Sequence, residues 1–226
     1  GRGAVKGAME QPETIATMRS SKNNLRAGFT LIEIMVVLLV MSVLLALAVP
    51  ALGPALKGSK LKQSADDLER ALANAQQVAI TENVPVQFRF YRYSDENIPG
   101  GDEQYRAYEA VILRYDPEDH TKDPQVEAIG EVEVFPSPYV ISDNVNFSTL
   151  VDGTQLKKGL DRIPRAEQAE YVAFEFRPDG STNMTSIARQ MWTITIFAET
   201  HQGGSLPPEF ATLALDPFNG QVRRYQ

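Results

Sequence analysis

Cysteine is absent from all 226 residues. No disulfide can close a loop, and no thiolate can ligate a metal or attack a substrate. Histidine is nearly as scarce. His120 and His201 are the only two, each in a polar stretch that reads as a solvated loop, so imidazole chemistry has little to draw on. Sequence signatures of catalysis are missing as well: there is no G-x-S-x-G elbow, no H-E-x-x-H helix and no phosphate-binding glycine loop. Basic charge is also short. Twenty-two Lys and Arg face 29 Asp and Glu, a net charge of −7. Residues 1–28 alone are at +3, so the remainder is near −10, the wrong sign for a nucleic-acid footprint. Long apolar runs are missing too, with one exception.

That exception is Phe29–Val49, 21 residues with a single charge, Glu33. A helix of roughly 20 residues crosses a hydrocarbon core about 30 Å thick, so the run is long enough to span a membrane. A carboxylate inside such a segment costs about 2.5–3.5 kcal/mol on insertion scales and calls for a partner. The basic, aperiodic stretch before it has the charge of an export n-region and reads as disordered. One export reading is a secretory signal with Ala46-Leu47-Ala48 as its A-x-A cleavage site; an acid near the start of the apolar run weighs against it.

The second reading rests on Gly28-Phe29-Thr30-Leu31-Ile32-Glu33 followed by the apolar run. This stretch closely resembles the processing site of type IV prepilins, although the leader is longer than many in that family. The resemblance implies cleavage after Gly28 by a membrane prepilin peptidase and N-methylation of Phe29. It further implies pairing of Glu33 with the N-terminal amine of a neighbouring subunit. Two charges neutralised together in a dry core are tolerable where one alone is not. It also implies a leader in the cytoplasm. Charge alone leaves the orientation balanced, with Arg19, Lys22 and Arg26 before the run and Lys57, Lys60 and Lys62 after it.

Pro50, Gly53, Pro54 and Gly58 come next, and a kink is expected at Pro50, which removes a helical hydrogen bond. From Lys60 to Ile80 the apolar positions Leu61, Ala65, Leu68, Leu72, Ala75 and Ala79 fall at helical spacing, with Asp66 and Arg70 placed for an i,i+4 pair. A coiled coil would need flanking charges that this stripe lacks. Beyond Asn83 the period drops to two. Val86, Phe88 and Phe90 alternate with Gln87, Arg89 and Tyr91 along 84–93. Further strands are expected at 105–115, 127–135, 139–141, 145–150, 171–177, 191–198, 211–216 and 221–224. Tight turns are expected at Pro178-Asp179-Gly180 and Phe218-Asn219-Gly220. One long helix followed by a run of strands predicts an α+β chain, its amphipathic half packed on an antiparallel sheet. Its expected parts are a leader (1–28), a membrane and assembly helix (29–49), a kink with the amphipathic continuation (50–80) and a β-rich domain (81–226).

The body extends the resemblance. Asn83-x-Pro85-Val86-x-Phe88, Phe176-Arg-Pro-Asp-Gly-Ser181 and Leu213-x-Leu215-Asp-Pro-x-x-Gly220-x-Val222 resemble the H-type minor pseudopilin of type II secretion. Tyr171-x-x-Phe174-x-Phe176-Arg-Pro-Asp-Gly-Ser-Thr182, Trp192-x-Ile194-Thr195 and Phe210-Ala-Thr212 are closer still to the Verru_Chthon cassette protein D family, with Glu209 where that family has Asn. The resemblance implies a type IV pilin-like fold and a non-enzymatic subunit of a secretion or pilus-like filament, favoured at its tip. Its partners would be prepilin peptidase, other pilin-like subunits bound through the N-terminal helix, and the inner-membrane assembly machinery. The alternative is a single-pass, membrane-tethered binding or sensor domain that never polymerises.

Two features remain open. Acidic loops hold Asp95 and Asp102, and Asp116, Asp119 and Asp123; calcium wants six to eight such oxygens, and some major pseudopilins bind it in a loop. Neither loop has EF-hand spacing, so solvated hairpin ends are preferred and no cofactor is expected. The aromatic group Phe88, Phe90, Tyr91, Tyr93, Tyr105, Tyr108 and Tyr115 reads as sheet packing, with a carbohydrate- or partner-binding face as the competitor.

Overall fold

The computed structural model describes residues 29–95, 102–119, 121–152, 156–184, 191–199 and 205–225, and for 48–57 the backbone only. Helical backbone runs over α1 (Leu31–Glu82). The chain divides into two compact units, Gly1–Val49 and Pro50–Gln226. Pro50 therefore sits at the boundary; its side chain lies outside the described residues.

In the first unit the large apolar side chains from Phe29 to Leu47 are 49–79% exposed on every side of the helix. A helix that is apolar all round has no face to give to water. Among the described residues no helix is long and apolar enough to cross a membrane. The described side chains of the expected span end at Leu47, short of Ala48 and Val49.

The second unit is a ten-stranded antiparallel sheet with the later part of α1 on one face. Its strands are β1 (Val86–Tyr93), β2 (Gln104–Arg114), β3 (Gln125–Ala128), β4 (Glu133–Val134), β5 (Tyr139–Ile141), β6 (Lys157–Ile163), β7 (Ala166–Phe176), β8 (Trp192–Ala198), β9 (Phe210–Leu215) and β10 (Val222–Tyr225). The order is β10-β9-β8-β5-β2-β1-β7-β6, with β3 and β4 also pairing β2. Registers align the large residues in rows: Ile112, Val86 and Phe176; Ala110, Phe88 and Phe174; Tyr108, Phe90 and Val172. The stripe Leu61, Ala65, Leu68, Leu72, Ala75 and Ala79 is at most 6% exposed and shares one core with these rows. Small residues on the helix let its backbone lie close to a sheet filled with rings.

The opposite face is buried as well, which alternation alone did not anticipate. Arg89 donates to Gln87 Oε1 at 2.8 Å and to Asp161 Oδ2 at 2.7 Å, and its guanidinium lies 4.7 Å over the Tyr171 ring. Tyr91 donates to Glu109 at 2.7 Å. Every member has a partner, which is what makes buried polar groups tolerable. Gly159 lets the ring settle there, since a Cβ would stand 2.4 Å from Tyr171.

Some local expectations change. Lys157–Ile163 is an edge strand missed in the sequence, because charge on a strand paired on one side only hides its alternation. The stretch 145–150 is no strand. It ends in a 3₁₀ turn, Thr149–Val151, and its side chains replace a ladder: Thr195 N–H donates to Ser148 Oγ at 3.0 Å and Thr193 N–H to Thr149 Oγ1 at 2.8 Å. The expected strand 127–135 breaks into β3 and β4. Ala128 faces Val111 and Glu133 faces Tyr108, so four residues bulge out opposite two. Arg70 pairs with Asp67 instead of Asp66, and Asp66 takes Arg224 of β10.

The two expected turns meet at the helix. Gln76 donates from Nε2 to Gly180 O at 2.8 Å and to Asn219 O at 2.6 Å. Gly220 has φ +66°, and a Cβ there would come within 2.4 Å of Gln76 Nε2 and 2.6 Å of Gly180 O. Gly220→Ala is expected to destabilise by about 1–3 kcal/mol and Gln76→Ala by about 1–2 kcal/mol. In urea unfolding the double variant should cost less than the sum, because one clash partner is gone.

Candidate processing and assembly site

Glu33 lies in the first turn of α1, where a negative charge meets the positive end of the helix dipole. Its backbone N–H donates to Thr30 Oγ1 at 3.2 Å, and its carboxylate receives the Thr30 N–H and hydroxyl, each at a long 3.4 Å. This is a capping box, with Thr30 as the cap and Glu33 three residues inside the helix. Its signal in the sequence is T-x-x-E, Thr30 to Glu33. Both residues are exposed, so the carboxylate remains accessible to a further partner. Phe29 is 78% exposed beside it. Gly28, on the other side of the expected cut, lies outside the described residues.

The other candidates belong to the second unit. Asp95 pairs with Arg165 at 3.7 Å. Asp116 and Asp119 share Lys122 at 3.2 and 3.5 Å, an ammonium where a calcium ion would have to sit. The Glu118 N–H and then Lys122 hold Asp116 below the usual carboxylate range, as the Thr121 hydroxyl and N–H do for Asp119. Asp102 gives its carbonyl to Arg106 at 3.2 Å, and Asp123 is exposed. Among the described residues no group of three or more carboxylate or imidazole side chains could hold a metal ion. His120 and His201 lie outside the described residues.

Six of the seven aromatics are buried and pack the sheet; Tyr115, at 47%, is the exposed member. Phe88 stacks on Tyr108 and Phe174 with ring centres 5.8 and 5.9 Å away. Burial raises the phenols of Tyr91, Tyr93, Tyr105 and Tyr108 above their ordinary value of 10.0. The carboxylates of Glu109 at Tyr91 and of Glu133 at Tyr108 add to this. A phenol raised in the folded state deprotonates first in the unfolded chain. Its stability is therefore complete below pH ~10 and is lost as the pH rises from there toward the folded value, by about 1.4 kcal/mol per pH unit for each tyrosine. Alkaline unfolding followed by circular dichroism should coincide with the ionisation of these four buried phenols, the later part of the tyrosinate absorbance rise; their ionisation ahead of unfolding would show these rings to be solvent-accessible.

With this geometry in place, a family model described as the prokaryotic N-terminal methylation motif matches residues 23–49. The match indicates a type IV prepilin-like protein, a substrate of prepilin peptidase anchored through its N-terminal segment. Proteins carrying this motif are structural subunits that assemble with other pilin subunits. No curated protein and no solved structure matches the chain.

Proposed function

We propose that this chain is a minor pilin-like subunit of a type II secretion or type IV pilus-like system. It is made as a precursor, held in the bacterial inner membrane by Phe29–Val49 with its β-rich domain outside, and cut between Gly28 and Phe29. N-methylation of Phe29 follows. The apolar helix then serves as the polymerisation stem, and Glu33 exchanges its local capping partner for the Phe29 amine of a neighbour. Pro50, with no N–H to give the helical ladder, falls at the boundary of the two units.

The motif match over 23–49, at the head of an apolar helix, carries this reading. A ten-stranded domain is larger than a simple shaft needs, which favours a place at the filament tip, in keeping with the resemblance to the H-type minor pseudopilin and the Verru_Chthon cassette protein D family. Mass spectrometry of the mature chain tests the reading. A methylated Phe29 terminus is expected, whereas a terminus at Val49 would assign the chain to ordinary secretion.

A further inference from the structure

The broken strand between β3 and β4 creates a surface that the assembly helix does not explain. Residues 129–132 bulge out opposite Glu109 and Ala110 and carry Gly130 and Glu131 with them. On one side of the bulge lies a groove of about 660 Å³ and on the other a groove of about 290 Å³; both are lined by Glu109, Glu131 and Glu133. The larger groove has an apolar wall of Val132, Val134 and Ile163, which pack together with the buried rings of Tyr91 and Tyr93.

Three observations define what fits. Among the described residues, Glu131 and Glu133 are exposed and make no ion pair, and the only group bonded to the Glu109 carboxylate is the neutral Tyr91 hydroxyl. Arg165, the cation among the described lining residues of the larger groove, is engaged by Asp95 at 3.7 Å. The Tyr93 hydroxyl, in a residue 3% exposed that packs with Val132, Val134 and Ile163, has no hydrogen-bond partner among the described residues. The sequence that carries the bulge is acidic too: residues 94–133 hold twelve acidic side chains against three basic ones.

We propose that this groove docks a lysine- or arginine-bearing segment of a protein partner. The long aliphatic stem of such a side chain lies along Val132, Val134 and Ile163, while its charged end meets Glu109, Glu131 and Glu133. A bulge that turns side chains out of the ladder is a recurrent way for a sheet to build such a surface. The contact lies on the globular unit and is separate from polymerisation through the N-terminal helix.

The test uses the full chain in a non-ionic detergent and two fluorescein-labelled pentapeptides, one alternating lysine with leucine and one alternating glutamate with leucine. In fluorescence anisotropy the lysine peptide is expected to bind and the glutamate peptide is not. The Glu131→Gln, Glu133→Gln double variant should weaken binding by about tenfold or more, and a Glu118→Gln, Asp123→Asn control by less than about twofold. Binding should also weaken as salt is raised. Failure of the lysine peptide to bind, equal binding of both peptides, or an equal loss in the control would overturn the proposal. So would sedimentation showing a self-associated chain that Lys158→Glu, Arg162→Glu disperses, since the occupant would then be a second copy. A chain cut normally at Gly28 that binds no peptide would sink this proposal and leave the assembly role intact.

Discussion

Replacing Gly28 with valine is expected to leave the chain uncut, so that no product begins at Phe29. A peptidase must hold the peptide on either side of the cut in an extended form against its catalytic groups. A β-branched side chain beside that bond fills the space the enzyme needs and stiffens the backbone there. The uncut chain keeps its basic leader, and Phe29 then has no free amine to offer Glu33 of a neighbour. The companion variant, Glu33→Gln, separates the two steps. It is expected to be cut normally but to stay out of filaments, because a neutral amide leaves the neighbouring amine charged and unpaired in an apolar core. The amide can still accept from Thr30, so the capping box and the helix start are retained. Immunoblots of precursor and mature chain, with a sheared-filament fraction, read both steps. Normal incorporation of the Glu33→Gln chain would leave Glu33 with no more than its capping role.

Phe174→Ala is expected to be the most damaging single truncation in the sheet. Phe174 is fully buried, and its ring lies 5.9, 6.5 and 5.0 Å from those of Phe88, Phe90 and Phe176. Removing it opens a cavity that its neighbours, anchored in the two paired strands β1 and β7, cannot collapse to fill. The cost is about 3–5 kcal/mol, against a total stability of roughly 5–15 kcal/mol for an ordinary domain. A melting-temperature drop of roughly 10 °C would follow in a chain of this size. Phe218 is the matched control: it is 72% exposed at a hairpin tip, and its truncation should shift stability by no more than about 0.5 kcal/mol. Equal losses from the two would show that the ring row does not hold the sheet together.

Much of the architecture is legible in the chain's local pattern. The helical stripe from Leu61 to Ala79 is buried at every position expected, because a single helix face repeats a local period that no distant contact needs to supply. The same holds for the row Val86, Phe88 and Phe90 and for the turns at Gly180 and Gly220, both of which have positive φ. At the head of the apolar helix, Glu33 stands out as a lone charge, while its pairing with Thr30 is plain only in the structure, although the spacing that joins them is local. The conspicuous Phe176–Ser181 and Asp216–Gly220 segments turn out to anchor two hairpins on Gln76. A glutamine beside an apolar stripe carries no mark of two carbonyls over a hundred residues away.

What the sequence determined by itself is therefore what depends on neighbours along the chain: the apolar helix with its single acid, the amphipathic stripe, the alternation of the central strand and the turn chemistry. Only the tertiary structure decided which charges meet. Asp66 reaches Arg224 instead of the neighbouring Arg70, Arg89 is buried between Asp161 and Tyr171, and Lys122 occupies the acidic loop where a metal was conceivable. It also decided that 127–135 breaks and bulges, leaving Glu131 and Glu133 without an ion pair among the described residues, beside an apolar groove. The physical reason is common to all of these. Backbone period is a property of consecutive residues, whereas the partner of a charge and the register of a strand are chosen by whatever the fold brings to the same place.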